Sequence, residues 1–155
     1  MKSNSSRLAG ALYLVPTLVA PFSLMFVPAQ VLVVGDAAAT AGRLLAHAQM
    51  FRFGMAADLL IALAEVALTA VLYRMFREAG RTLALVSAAA RFLMAGVQAG
   101  NVAFSIAALH FAPRAPGAAL DALVLHAQTL HAWEALFALH CLTLAILVVR
   151  TGHGR

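Results

Sequence analysis

The chain has 155 residues, of which 63% are hydrophobic and only 11% charged, and its mean hydropathy is +0.90. Soluble domains carry about 25% charged residues, so this composition excludes an ordinary soluble globule and indicates an integral membrane protein whose first partner is the lipid bilayer. The net charge of +5 does not make it a nucleic-acid binder, because the basic residues fall at the ends of apolar stretches and form no patch.

The first element is the clearest. From Leu8 to Gly35 there are 28 consecutive residues without a charge, and roughly 20 apolar residues already cross the hydrocarbon core. A secretory signal has an apolar region of only about 7–15 residues, so this run is read as a retained first helix, spanning about 8–34. Pro16, Pro21 and Pro28 should kink it or end it near Pro28. Gly35-Asp36 reads as a turn and N-cap, opening a short interfacial helix from Ala37 to about Met50.

The second span is expected at about 53–76 and carries Asp58 and Glu65. A charged turn, Arg77-Glu78-Ala79-Gly80-Arg81, leads to a third span at about 83–111, with Arg91, Gln98 and Asn101. Pro113-Arg114-Ala115-Pro116-Gly117 closes that span. A second short helix over about 118–130 then precedes a fourth span at about 131–149, which holds Glu134 and His140. The tail from Arg150 to Arg155 is polar. The lone cysteine, Cys141, lies in an apolar stretch and reads as a small buried hydrophobe. The expected fold is therefore an all-α membrane protein: one domain over residues 1–155, a four-transmembrane-helix bundle with short interfacial helices on the outer side.

Loop charges give the orientation. With the N-terminus inside, Lys2, Arg7, Arg74, Arg77, Arg81, Arg150 and Arg155 are inner, and Arg43, Arg52 and Arg114 are outer. The positive-inside rule then places both termini in the cytoplasm.

Polar groups within the spans are the candidates for function, since a charge at the bilayer centre costs at least about 2.5–3.5 kcal/mol. Counted from Arg74, Arg81 and Arg150, residues Glu65, Arg91 and His140 lie roughly 13–15 Å deep. Glu65 and Arg91 are expected to form a buried ion pair. Asp58 and Glu134 lie roughly 24 Å from the same ends, with Gln98 close to that level. Asp58 and Glu65 are seven apart and share a face. Ser87, Arg91, Gln98, Asn101 and Ser105 form a stripe roughly 80° wide that should point inward. His131 and Glu134, three apart, share a side, whereas His140 is turned by roughly 120° from Glu134. Asp58, Gln98, His131 and Glu134 are accordingly the candidates for a ligand or proton site in the outer layer. His-x-x-Glu spacing can put two ligands on one metal, which makes His131 and Glu134, with His140, the residues to examine for metal binding. Gly96 and Gly100 form a GxxxG face suited to close helix packing, within the bundle or in a homo-oligomer.

The stretches GDAAATAGRLLAHAQMFRFGMAADLLIALAEVALTAVLY, ALVSAAARFLMAGVQAGNVA and FALHCLTLAILVVRTG resemble the bacterial membrane family catalogued as domain of unknown function 4386. The likeness runs from about Arg7 to Gly152. Its most specific points are the Gly-Asp-Ala-Ala-Ala-Thr-Ala run, Phe51-Arg52-Phe53-Gly54, Asp58-Leu59-Leu60, Arg91 and His140-Cys141. Members typically continue into further hydrophobic sequence, so the resemblance implies a short version, residing in the cytoplasmic (inner) membrane. It implies fold and topology and brings no activity, substrate or cofactor.

Nucleophile–His–acid sets, glycine-rich phosphate loops and nucleotide motifs are missing from the sequence, which names no cofactor and favours a protein that is not an enzyme. The expected role is a small binding or interaction protein with a buried polar core. The alternatives are a proton or small-molecule pathway, and a membrane-embedded enzyme built on Asp58, His131 and Glu134.

Overall fold

The computed structural model describes residues 2–152. Arg155, counted above with the inner charges, lies outside them, as does the end of the polar tail. The described chain is helical apart from short connections, with helix α1 at Lys2–Ala20, a π-helical segment at Pro21–Phe26, α2 at Val27–Val31, α3 at Ala37–Ala46, α4 at Ala48–Phe76, α5 at Arg81–Phe111 and α6 at Pro116–Gly152. Four helical stretches, Asn4–Val31, Ala48–Phe76, Arg81–Phe111 and Pro116–Gly152, are long and apolar enough to cross a membrane. This is an all-α membrane bundle.

The prolines shape the first stretch as their chemistry requires. Pro21 has no N–H to return to the Thr17 carbonyl four residues back, and the chain answers by widening into the π segment. The helix then ends at Leu32, four residues beyond Pro28. Gly35 takes φ +76°, a backbone conformation suited to glycine. Asp36 caps α3 by accepting a hydrogen bond from the Ala39 N–H at 2.8 Å. Buried Thr40 ties α3 to the preceding loop, accepting from the Val33 N–H at 3.0 Å and donating to the Val33 carbonyl at 3.1 Å.

Two boundaries differ from the sequence expectation. The short helix α3 stops at Ala46 and α4 starts at once, at Ala48 rather than Phe53, because Ala-Gln-Met-Phe-Arg contains no helix breaker. The separate helix expected over 118–130 does not form. With neither glycine nor proline between Gly117 and Gly152, α6 is continuous over 37 residues, roughly 55 Å. That exceeds the hydrocarbon core of about 30 Å, so its N-terminal turns rise above the span and pack on α3.

The spanning helices pack in chain order: α1 on α4, α4 on α5, and α5 most extensively on α6, while α1 and α6 are not packed on one another. A seam therefore runs between the first and last helices, with α4 and α5 as its floor. Apolar residues close both ends of it. Val27, Val31, Leu44, Phe51, Ala108, Ala112, Ala119 and Ala122 form a buried cluster at the end nearest α3. Ala9, Leu68 and Leu72 form another toward the opposite end. The polar side chains lie between the two clusters.

A candidate ligand site in the seam between the outer helices

Three ladders of seven-residue spacing build the seam. On α4 they are Phe51, Asp58, Glu65 and Leu72; on α5, Ala84, Arg91, Gln98 and Ser105; on α6, Ala119, His126, Trp133, His140 and Leu147. Seven residues turn a helix by within about 20° of two full turns, so each ladder stays on one face. The rungs rise roughly 10 Å apart. Packed side by side, the rungs stack polar groups in layers.

The outer layer surrounds a cavity of about 130 Å³. Ser23 of the π segment, Asp58, Ser105 and His126 line it, amid apolar residues that include Val27, Phe51, Met55, Leu123 and Leu130. Asp58 is only 4% exposed, and its Oδ1 accepts a hydrogen bond from Gln98 Nε2 at 3.0 Å. The Ser23 hydroxyl lies beside that carboxylate without closing a hydrogen bond to it. Asn101 Nδ2 donates to the His126 backbone carbonyl at 3.1 Å, which fixes α6 against α5 at this level. Ser23 Oγ, Asn101 Oδ1 and His126 Nε2 are buried with no hydrogen-bond partner among the described residues. Ser23 and His126 line the cavity; buried polar atoms in native structures are nearly all satisfied, so two orphans on one cavity wall require an explanation.

The central layer holds Arg91, 2% exposed. Its Nη1 lies 3.2 Å from His140 Nε2, and its guanidinium sits over the Tyr13 ring, 5.3 Å from the centroid. Arginine nitrogens only donate, so Nε2 accepts. A neutral ring then carries its proton on Nδ1 and donates to Ser87 Oγ at 2.8 Å. Both nitrogens of His140 are thus engaged, and the ring offers none to a metal.

Glu65 and Arg91, expected to pair, are both buried and near enough for their charges to interact, with no direct salt-bridge contact between them. His140 has taken the guanidinium instead. Glu65 Oε2 and Arg91 Nε have no hydrogen-bond partner among the described residues, and Trp133 lies beside Glu65 with its indole N–H also unpaired.

Of the four outer-layer candidates, the structure joins Asp58 to Gln98 and separates both from His131 and Glu134. The latter two pair with each other at 3.1 Å on the outer surface of α6, their side chains 78% and 66% exposed. The reason is rotational. The inward face of α6 is the 119–126–133–140–147 ladder, and at 100° per residue Glu134 and His131 lie roughly 100° and 160° around the helix from Trp133, on the same side. The Asp58/His131/Glu134 set is therefore not assembled. Among the described residues no three His, Cys, Asp or Glu side chains are grouped to hold a metal ion.

His126, Ser23 and Trp133 were not among the sequence candidates. The α6 ladder contained the signal for two of them, since His126 and Trp133 lie fourteen and seven residues before His140. The inward stripe of α5 is as expected: Ser87, Arg91, Gln98, Asn101 and Ser105 are all buried. Gly96 and Gly100 point out of the bundle, with no other atom near enough to meet a Cβ, so they take no part in packing within the chain. Cys141 is exposed rather than buried, one residue beyond the inward His140.

A family model described as Domain of unknown function (DUF4386) matches residues 8–153. The chain belongs to this family. The DUF4386 match takes in every residue of the seam described here. No curated protein and no solved structure matches the chain.

Proposed function

We propose that this membrane protein binds a small, largely apolar molecule in the outer cavity, which the π segment, α2, α4 and α6 enclose. The observation that carries the reading is the buried Asp58 carboxylate on the wall of a cavity of about 130 Å³, beside the orphaned Ser23 hydroxyl. An apolar cavity of roughly 150 Å³ accommodates benzene, so the occupant is of that order. The π segment strengthens the reading, because such insertions are frequent at functional sites and this one carries Ser23. With seven basic residues on one side and three on the other, the reading also orients both termini toward the cytoplasm, in the cytoplasmic membrane of a bacterium as the family resemblance implies.

Ala127 lines the cavity, and Ala127→Phe should fill it. In lipid nanodiscs, small aromatic and aliphatic probes are expected to raise the unfolding temperature of the wild type and leave the filled variant unchanged, because a ligand stabilises only a state that binds it. A panel that shifts both proteins equally, or neither, would contradict the reading.

A further inference from the structure

We propose that the molecule taken by the outer cavity is an organic amine in its protonated form, with Asp58 as its counter-charge; this rests on the cavity being a binding site at all. Three features of the cavity lead there.

The first is charge. Asp58 lies inside a membrane-spanning helix, and no cation forms a salt bridge with it among the described residues. Its hydrogen bond from Gln98 is with an uncharged amide. A carboxylate can accept about four hydrogen bonds, and a buried one is strongly favoured by an opposite charge that is also hydrogen-bonded to it.

The second is the pattern of donors and acceptors. Ser23 Oγ and a neutral His126 Nε2 can each accept a hydrogen bond, and neither has a partner among the described residues. Together with the carboxylate they form a set that calls for N–H donors. An ammonium bearing N–H bonds satisfies such a set; a quaternary ammonium, having no N–H, does not.

The third is the lining. Val27, Val31, Phe51, Met55, Leu123 and Leu130 surround the polar corner. A bare metal cation would leave that apolar surface unused and would want more oxygen ligands than are gathered here. A hydrocarbon body with a single charged end uses both parts of the cavity, as ligand pockets with few, well-placed polar groups generally do.

The test uses two probes of matched shape, benzylamine and benzyl alcohol, the first cationic and the second neutral. Binding to the full chain in nanodiscs is followed by saturation-transfer NMR, and the Ala127→Phe variant corrects for partition into lipid. Benzylamine should bind the wild type at least about tenfold more tightly than benzyl alcohol, a gap typical of one charge-assisted contact. Asp58→Asn should remove that preference while benzyl alcohol still binds. Equal affinity for the two probes in the wild type would overturn the amine inference and leave the ligand-binding reading standing. Failure of both probes to bind beyond the Ala127→Phe background would overturn both. The comparison within the wild type decides the question even where Asp58→Asn does not fold.

Discussion

Arg91 shows how a buried charge is held when its expected partner is not the one chosen. Depth alone pairs it with Glu65, and the sequence supports that reading because both residues lie roughly 13–15 Å from the inner helix ends. The side chain instead bonds to His140 and lies over Tyr13. Depth along an axis fixes only one coordinate; rotation and side-chain reach fix the others, and α6 turns His140 inward on its seven-residue ladder. Removing one partner of a buried charged contact leaves the other desolvated and unpaired. A double-mutant cycle between Arg91→Gln and His140→Phe, measured by chemical unfolding in detergent, should therefore give a coupling of about 1.5–3 kcal/mol, the range for hydrogen bonds to charged groups. The same cycle between Glu65→Gln and Arg91→Gln should give a smaller value. A larger coupling for Glu65 would restore the ion pair and remove the central role given to His140.

At the scale of elements, the first helical stretch decides the shape of the cavity. Its three prolines were plain in the sequence, and so was a kink or early end. The π segment was not, because nothing in a sequence states whether a freed carbonyl is answered by a kink, a wider turn or a helix end. The consequence is positional, since the widened turn brings Ser23 to Asp58. One turn further along the chain, Val27 meets α4 at Gly54, where a Cβ would come within 3.3 Å of both Val27 methyl carbons. Gly54 thus permits a close approach that holds α2 against α4 at the cavity wall. Gly54→Leu should lower stability by about 1–3 kcal/mol through overpacking and weaken probe binding by pushing the wall outward. Thermal unfolding with and without benzylamine checks both effects; a stability gain, as expected of an unconstrained glycine in a helix, would show that the contact is slack. The continuous α6 teaches a related lesson. Residues 131–149 suffice to span by themselves, so its first turns read as a separate interfacial helix, yet no residue over 118–130 can break a helix.

For the whole molecule, the hydrophobic runs made the four helices legible, and the loop charges gave an orientation. Their packing order was not legible, since in lipid the apolar faces carry little information about which helix lies beside which. The seam between α1 and α6 therefore had to come from the structure, and with it His126 and Ser23. The orientation is open to a direct check. In a Cys141→Ser background, an impermeant thiol reagent applied to intact cells should label Ala115→Cys and leave Ala79→Cys untouched, because the loop around Ala79 carries the inner charges; the reverse pattern would invert the protein in its membrane. The central claim is that the polar corner at Asp58 is kept for a ligand and not for the fold. The unfolding free energy of ligand-free Asp58→Asn tests it most directly, since asparagine still offers Gln98 an oxygen while removing the buried charge. Groups held for function commonly cost stability, so the account predicts that this variant is as stable as the wild type or more so. A loss of about 3–5 kcal/mol, the cost of breaking a structural buried charge contact, would contradict it.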